Sequence, residues 1–172
     1  MGYFNGEIET IETKYSLIQG HVDAIGKPYD NDELFLFEAK NLAPNKLSAL
    51  RKLGVIGATR YYYTQIQLYL YGMTLKGFDI DTCIFVARNR RFRKDTDPKK
   101  YYVERIEYDE SEVTEAINKA DHIAYRVITE MPPEPDVNPF FEFFCQVGWC
   151  KYAKQCRAHW RNEFGYNPIQ NK

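Results

Sequence analysis

The sequence predicts an α/β protein built on a mixed central sheet flanked by helices. The run Leu34-Phe35-Leu36-Phe37 is short, continuous and apolar, as a central strand buried on both faces requires. A long amphipathic stripe beginning at Val113 has helical spacing. Between them the segments follow the order strand, strand, helix, strand, the mark of a mixed architecture.

Each element has its own signal. Residues from about Tyr15 to Ile25 read as a strand, and Gly26-Lys27-Pro28-Tyr29-Asp30-Asn31-Asp32 as the turn of a hairpin. The next strand runs to Lys40. Pro44 introduces a short helix over 45–53, which Gly54 and Gly57 break. A second helix covers Arg60 to Met73. Gly77 leads into a strand over Asp81–Arg88 with the apolar core Cys83-Ile84-Phe85-Val86-Ala87, and Lys100–Tyr108 alternates as a further strand. Asp109-x-x-Glu112 is a capping box opening a long helix. Val113, Ala116, Ile117, Ala120, Ile123, Ala124, Val127 and Ile128 form its apolar face, and Pro132-Pro133 and Pro135 end it after Met131.

At 172 residues the chain can bury a substantial core without disulfides. Residues 1–131 form the core and 132–172 a cysteine-containing segment packed on it. Aromatics make up 16% of the chain, enough for stacking surfaces as well as core. A formal net charge of −1 does not by itself announce a nucleic-acid partner. No apolar stretch approaches the roughly 20 residues of a membrane span, and the N-terminus lacks a signal-peptide pattern. A soluble, cytoplasmic protein is expected, with no membrane partner.

The chemistry concentrates in two short stretches, Gly20-His21-Val22-Asp23 and Glu38-Ala39-Lys40. An acid at the end of one strand, then an acid and a lysine two residues apart on the next, suit metal-dependent phosphodiester cleavage. Phosphate repels anionic nucleophiles, so a divalent ion must neutralise it and acidify a water. Carboxylate oxygens suit Mg²⁺ or Mn²⁺. Residues 38 and 40 leave the same face of a strand, which brings Lys40 to the water or phosphate held by the metal of Glu38. The competing structural reading is an ion pair between Glu38 and Lys40. Gln65 and Tyr69 follow, one helical turn apart and on one face. His21, two residues before Asp23, is a candidate to supplement the metal site or a hydrogen-bonded structural histidine.

The joint pattern G-x-x-D, an apolar strand ending in E-x-K, then Tyr62-x-x-Gln65-x-x-x-Tyr69, resembles the PD-(D/E)xK nucleases. The resemblance is to their RecB-like branch, which includes phage recombination exonucleases and exonucleases of CRISPR adaptation. It implies a restriction-endonuclease-like core and a DNA nuclease, most often an exonuclease, in recombination, repair or phage DNA processing. For a phage protein the location would be the host cytoplasm. Asp23, Glu38 and the backbone carbonyl of Ala39 would hold Mg²⁺ or Mn²⁺, and Lys40 would orient the attacking water. Gln65 would bond the nucleophilic water or a metal ligand, and Tyr69 would contact phosphate or base. Single strands or ends of DNA are the implied partner, alongside a protein partner or a second copy of the chain. Family members carry a further helix before the G-x-x-D strand, which this chain is expected to lack. That departure keeps a second class open, a catalytically weak DNA-binding module that guides a partner.

A basic run follows the 81–88 strand: Arg88, Arg90, Arg91, Arg93 and Lys94, then Lys99-Lys100. Such a run is ordinarily a solvated loop. Beside a nuclease site it supplies phosphate contacts, and the interleaved Phe92, Tyr101 and Tyr102 suit the stacking of single-stranded bases.

Cys145-x4-Cys150-x5-Cys156 forms the second chemical signal. Three cysteines this close in an intracellular protein suggest a metal more than disulfides. The segment resembles the 4Fe–4S-binding tail of iron–sulfur RecB-like nucleases, where three C-terminal cysteines join one from far upstream; there the first pair is commonly separated by two residues, not four. The fourth ligand has three candidates. It could come from an upstream piece or another chain. It could be Cys83, whose strand context fits a buried core residue better. It could be His159, three residues after Cys156, which would complete a zinc site instead.

Overall fold

A computed structural model describes residues 6–29, 32–90, 100–130 and 152–165. The chain divides into two compact units, Met1–Ala124 and Tyr125–Lys172. The first carries two short strands, β1 (Ile11–Glu12) and β2 (Leu17–Ile18), paired antiparallel. Its main sheet has the order β3 (Ala24–Gly26), β4 (Phe35–Leu42), β5 (Thr82–Asn89), β6 (Tyr101–Glu107). β3–β4 and β5–β6 are antiparallel neighbours, whereas β4 and β5 are parallel. A parallel pair needs a crossover. Here α1 (Pro44–Ala58) and α2 (Arg60–Leu75) provide it, followed in the chain by α3 (Glu110–Ile128). The mixed sheet with helices packed against it is the predicted fold class.

The expected strand over 15–25 is instead two pieces. β2 pairs with β1 and β3 with β4, with an isolated bridge between Glu7 and His21 in the stretch separating them. The hairpin β1–β2 is held by α3: the Asp121 carboxylate accepts from the Lys14 amide at 3.1 Å, the Tyr15 amide at 2.9 Å and the Thr13 hydroxyl. These hydrogen bonds, that of Thr13 first, hold the Asp121 carboxyl below the usual carboxylate range.

Registers show which side chains share a face. Leu36, Glu38, Lys40 and Leu42 alternate to one side of β4, opposite Cys83, Phe85, Ala87 and Asn89 of β5. This face carries the core, packed against Leu47, Leu50, Ile66, Leu70 and Met73 of the crossover helices. Phe35 and Phe37, on the other face, are only half-buried, and Val103 there is exposed. β4 is therefore buried on one face rather than on both. The run Leu34–Phe37 looked continuous because its outward positions are also apolar, so composition concealed the alternation.

The crossover has two fixed points. Gly54 adopts φ 67° and ψ −179° inside α1, a left-handed conformation that favours glycine. The kink releases the Val55 amide, which donates to Glu104 of β6 at 2.8 Å. The predicted break at Gly54 is thus a kink within one helical segment. Gln67 of α2, with 0% exposure, donates to the Glu107 carbonyl at 3.0 Å and accepts from the Asp109 amide at 2.7 Å. It fastens the β6–α3 turn.

The capping box is half made. Asp109 accepts from the Glu112 amide at 3.3 Å, but its own amide goes to Gln67. Glu112 turns instead to Arg60 at 2.9 Å and to the Thr64 hydroxyl, joining α3 to α2. In the second unit, α4 (Ala153–Phe164) ends at Gly165, which adopts φ 63° as a left-handed helix stop.

Candidate functional site

Asp23 stands immediately before β3, whose register sets Ala24 against Phe37. That pairing delivers Asp23 to the Glu38-Ala39-Lys40 segment, where its Oδ2 accepts from the Ala39 amide at 2.8 Å. Glu38 and Lys40 leave one face of β4, as their spacing predicted, and the Lys40 ammonium donates to Glu38 Oε1. Asp23, Glu38 and Lys40 are therefore brought together from two antiparallel strands. Asp23 is exposed, Lys40 half-buried, and Glu38 only 2% exposed.

The electrostatics follow from this gradient. Burial raises the Glu38 carboxyl above the usual carboxylate range; Lys40 opposes the shift, and the nearby Asp23 charge adds to it. Cys83, on β5 and on the same sheet face, lies in the core. Burial, then the charges of Glu38 and Asp23, push its thiol up to about 12. A thiol so placed is an inert packing residue.

Tyr62 is the neighbour that motif reading passed over as a site residue. Its ring lies 5.3 Å from the Lys40 ammonium, within cation–π range, and packs 6.0 Å from Phe85 and 4.2 Å from Tyr61. The available signal was its position three residues before Gln65, on the same face of α2.

Gln65 and Tyr69 form a pair of their own, Gln65 Nε2 donating to the Tyr69 hydroxyl at 2.6 Å. The Tyr69 ring lies against Gly20, where an added Cβ would meet it at 2.5 Å. The glycine of G-x-x-D is thus a packing requirement of this tyrosine. His21 Nε2 lies 3.3 Å from the Glu7 carboxylate across the bridge that joins them.

The basic run is placed differently. Arg88 pairs in register with Asn41 and Tyr101, so both Arg88 and Tyr101 leave the sheet face opposite Glu38 and Lys40. Arg90 is exposed, its amide donating to the Leu42 carbonyl at 3.1 Å. Lys100, at 0% exposure, is buried rather than presented on a solvated loop. Arg91 and Arg93 lie outside the described residues, as do Cys145 and Cys150. Cys156 is a half-buried free thiol on α4, one turn from the half-buried His159.

Among the described residues, no three His, Cys, Asp or Glu side chains gather into a metal-binding group. The groups expected to hold a metal, the Asp23 and Glu38 carboxylates and the Ala39 carbonyl, are all oxygen donors, a chemistry suited to a hard divalent cation. A buried carboxylate with a raised pKa and one ammonium partner is chemically compatible with such an ion. No helix among the described residues is long and apolar enough to cross a membrane. Comparison of the chain with protein-family models, curated proteins and solved structures finds no match.

Proposed function

We propose that this chain is a metal-dependent DNA nuclease of the RecB-like PD-(D/E)xK type, acting on single strands or ends of DNA. The observation that carries the reading is the convergence of Asp23, Glu38 and Lys40 across the β3–β4 pairing. A structural ion pair explains Glu38 with Lys40, but not a second carboxylate delivered to the same segment. Glu38 is also buried, and burial keeps its carboxyl raised despite its lysine. Such perturbed groups concentrate at functional sites.

In this reading Asp23, Glu38 and the Ala39 carbonyl would hold Mg²⁺ or Mn²⁺. When bound, the ion supplies phosphate neutralisation and an acidified water. Asp23 commits one oxygen to the Ala39 amide, which fixes its carboxylate and leaves the other oxygen as a donor. Lys40, tethered to Glu38 and bordered by Tyr62, presents an ammonium that stabilises charge developing on the phosphate. The cysteine tail belongs to the same proposal. Cys145, Cys150 and Cys156 would bind a 4Fe–4S cluster with a ligand from elsewhere, or zinc with His159.

End-labelled single- and double-stranded DNA, incubated with the protein in Mg²⁺ or Mn²⁺, provides the test. Cleavage is expected that stops in EDTA and in Glu38→Ala. Tight DNA binding without cleavage under any of these conditions would replace the nuclease with the DNA-binding module.

A further inference from the structure

An open groove of about 280 Å³ is lined by Tyr61, Thr64, Gln65, Leu68 and Tyr69 of α2 and by Gln19 from the segment after β2. Its lining is mainly apolar, with hydroxyls and carboxamides among it, and no charged side chain lines it. Tyr61 is 57% exposed, a large ring held in water at the mouth of the groove. The ring is not loose: it lies 4.2 Å, centroid to centroid, from Tyr62. Tyr62 in turn faces the Lys40 ammonium at 5.3 Å. Tyr69 rests on Gly20, three residues before Asp23. Two lining residues, Tyr61 and Tyr69, are thus connected to the residues proposed to handle phosphate.

We infer that this groove is a nucleobase subsite: Tyr61 stacks one base of a single DNA strand whose neighbouring phosphate lies at Lys40. The inference rests on the nuclease reading and specifies its substrate as unpaired DNA. Three properties select a base over other occupants. A flat, exposed and buttressed aromatic ring offers a stacking surface that every base can use. The absence of charge in the lining disfavours a phosphate or an acidic peptide. Gln19 and Gln65 each donate one amide hydrogen within the protein, to the Thr10 and Tyr69 hydroxyls, which leaves a second N–H and a carbonyl on each for a base edge. Stacked base pairs do not present a free face to such a ring, so duplex DNA enters only where its end is opened.

The test uses the full chain in EDTA, where cleavage is blocked, with fluorescence anisotropy of labelled oligothymidylate. The comparison strand is identical but carries an abasic stretch. Tyr61→Ala should weaken binding of the thymidylate strand by about tenfold, within the range of one lost base–aromatic stack. It should leave affinity for the abasic strand unchanged, and Tyr61→Trp should restore the difference. Equal effects on the two strands, no effect on either, or no binding of the thymidylate strand by the unsubstituted protein would each overturn the subsite. Circular dichroism melts of both variants confirm that an exposed side chain was changed without unfolding the protein. The two readings fail separately: base-dependent binding without cleavage in Mn²⁺ removes the nuclease, whereas cleavage with Tyr61-independent binding removes only the subsite.

Discussion

At the scale of single residues, carboxylates do different work according to what surrounds them. Glu38 is desolvated and raised, while Asp109 and Asp121 are half-buried and lowered by hydrogen bonds, from Ser111 and Thr13 first. For a lowered carboxyl the native state binds its proton less tightly than the unfolded chain. Its stabilisation is present above the unfolded pKa of 3.8 and is lost as pH falls through the lower native value. Asp109→Asn and Asp121→Asn should therefore flatten the acid side of a stability-against-pH curve below about pH 4; urea midpoints measured from pH 2 to 7 check this. Gln67 makes a harder demand. Gln67→Leu leaves the Glu107 carbonyl and the Asp109 amide without their partner and should cost roughly 2–4 kcal/mol. A loss under 1 kcal/mol in denaturant titration would mean that water replaces both bonds. For the site itself, Glu38→Ala, Lys40→Ala and Asp23→Ala should each abolish cleavage. Double substitutions should be no worse, because groups acting as one unit are non-additive; single-turnover assays of the double variants decide it.

At the scale of elements, period-two alternation separates side chains that the linear order places side by side. Arg88 follows directly on the apolar core of its strand, yet it leaves the face away from Glu38 and Lys40. Its neighbours Arg90, Arg91 and Arg93 come after the strand ends. Replacing those three with alanine should lower the slope of log affinity against log salt by roughly one unit per lost phosphate contact. Arg88→Ala should leave the slope unaltered. An equal fall for Arg88→Ala would show that DNA reaches both faces of the sheet. Elements also explain the partial capping box. Asp109 opens α3 as the motif predicts, but the second half of the motif is displaced because α2 brings Gln67, Arg60 and Thr64 to the same turn. A local pattern predicts the helix start; neighbours decide which hydrogen bonds complete it.

At the scale of the whole molecule, the proposed cysteine site would tie metal chemistry to folding, since a closed thiolate site contributes folding free energy directly. Protein purified without oxygen should carry metal bound through Cys145, Cys150 and Cys156. Iron and sulfide in stoichiometric amounts with broad visible absorption identify a cluster. One zinc per colourless chain, lost in His159→Ala, identifies the alternative. Metal-free protein whose melting temperature is indifferent to alanine at Cys150 and Cys156 would make the tail ordinary packing.

The sequence by itself determined an α/β class with a mixed sheet, the helix from Arg60, strands near 81–88 and 100–108 and the start of α3, because each rests on short-range periodicity or a local stop signal; the helix after Pro44 it placed but ended too early, at 53. It also determined that Glu38 and Lys40 share a face, a consequence of spacing along one strand. Only the tertiary structure decided that Asp23 meets them, since that depends on the Ala24–Phe37 register between strands. It likewise decided that Tyr62 borders the lysine, that Gly20 makes room for Tyr69, and that Gln65 is paired with Tyr69. The split of the expected first strand and the one-sided burial of β4 were hidden for the same reason. Pairing partners and the face a helix covers are set by contacts between residues far apart in sequence, and local periodicity carries no record of them.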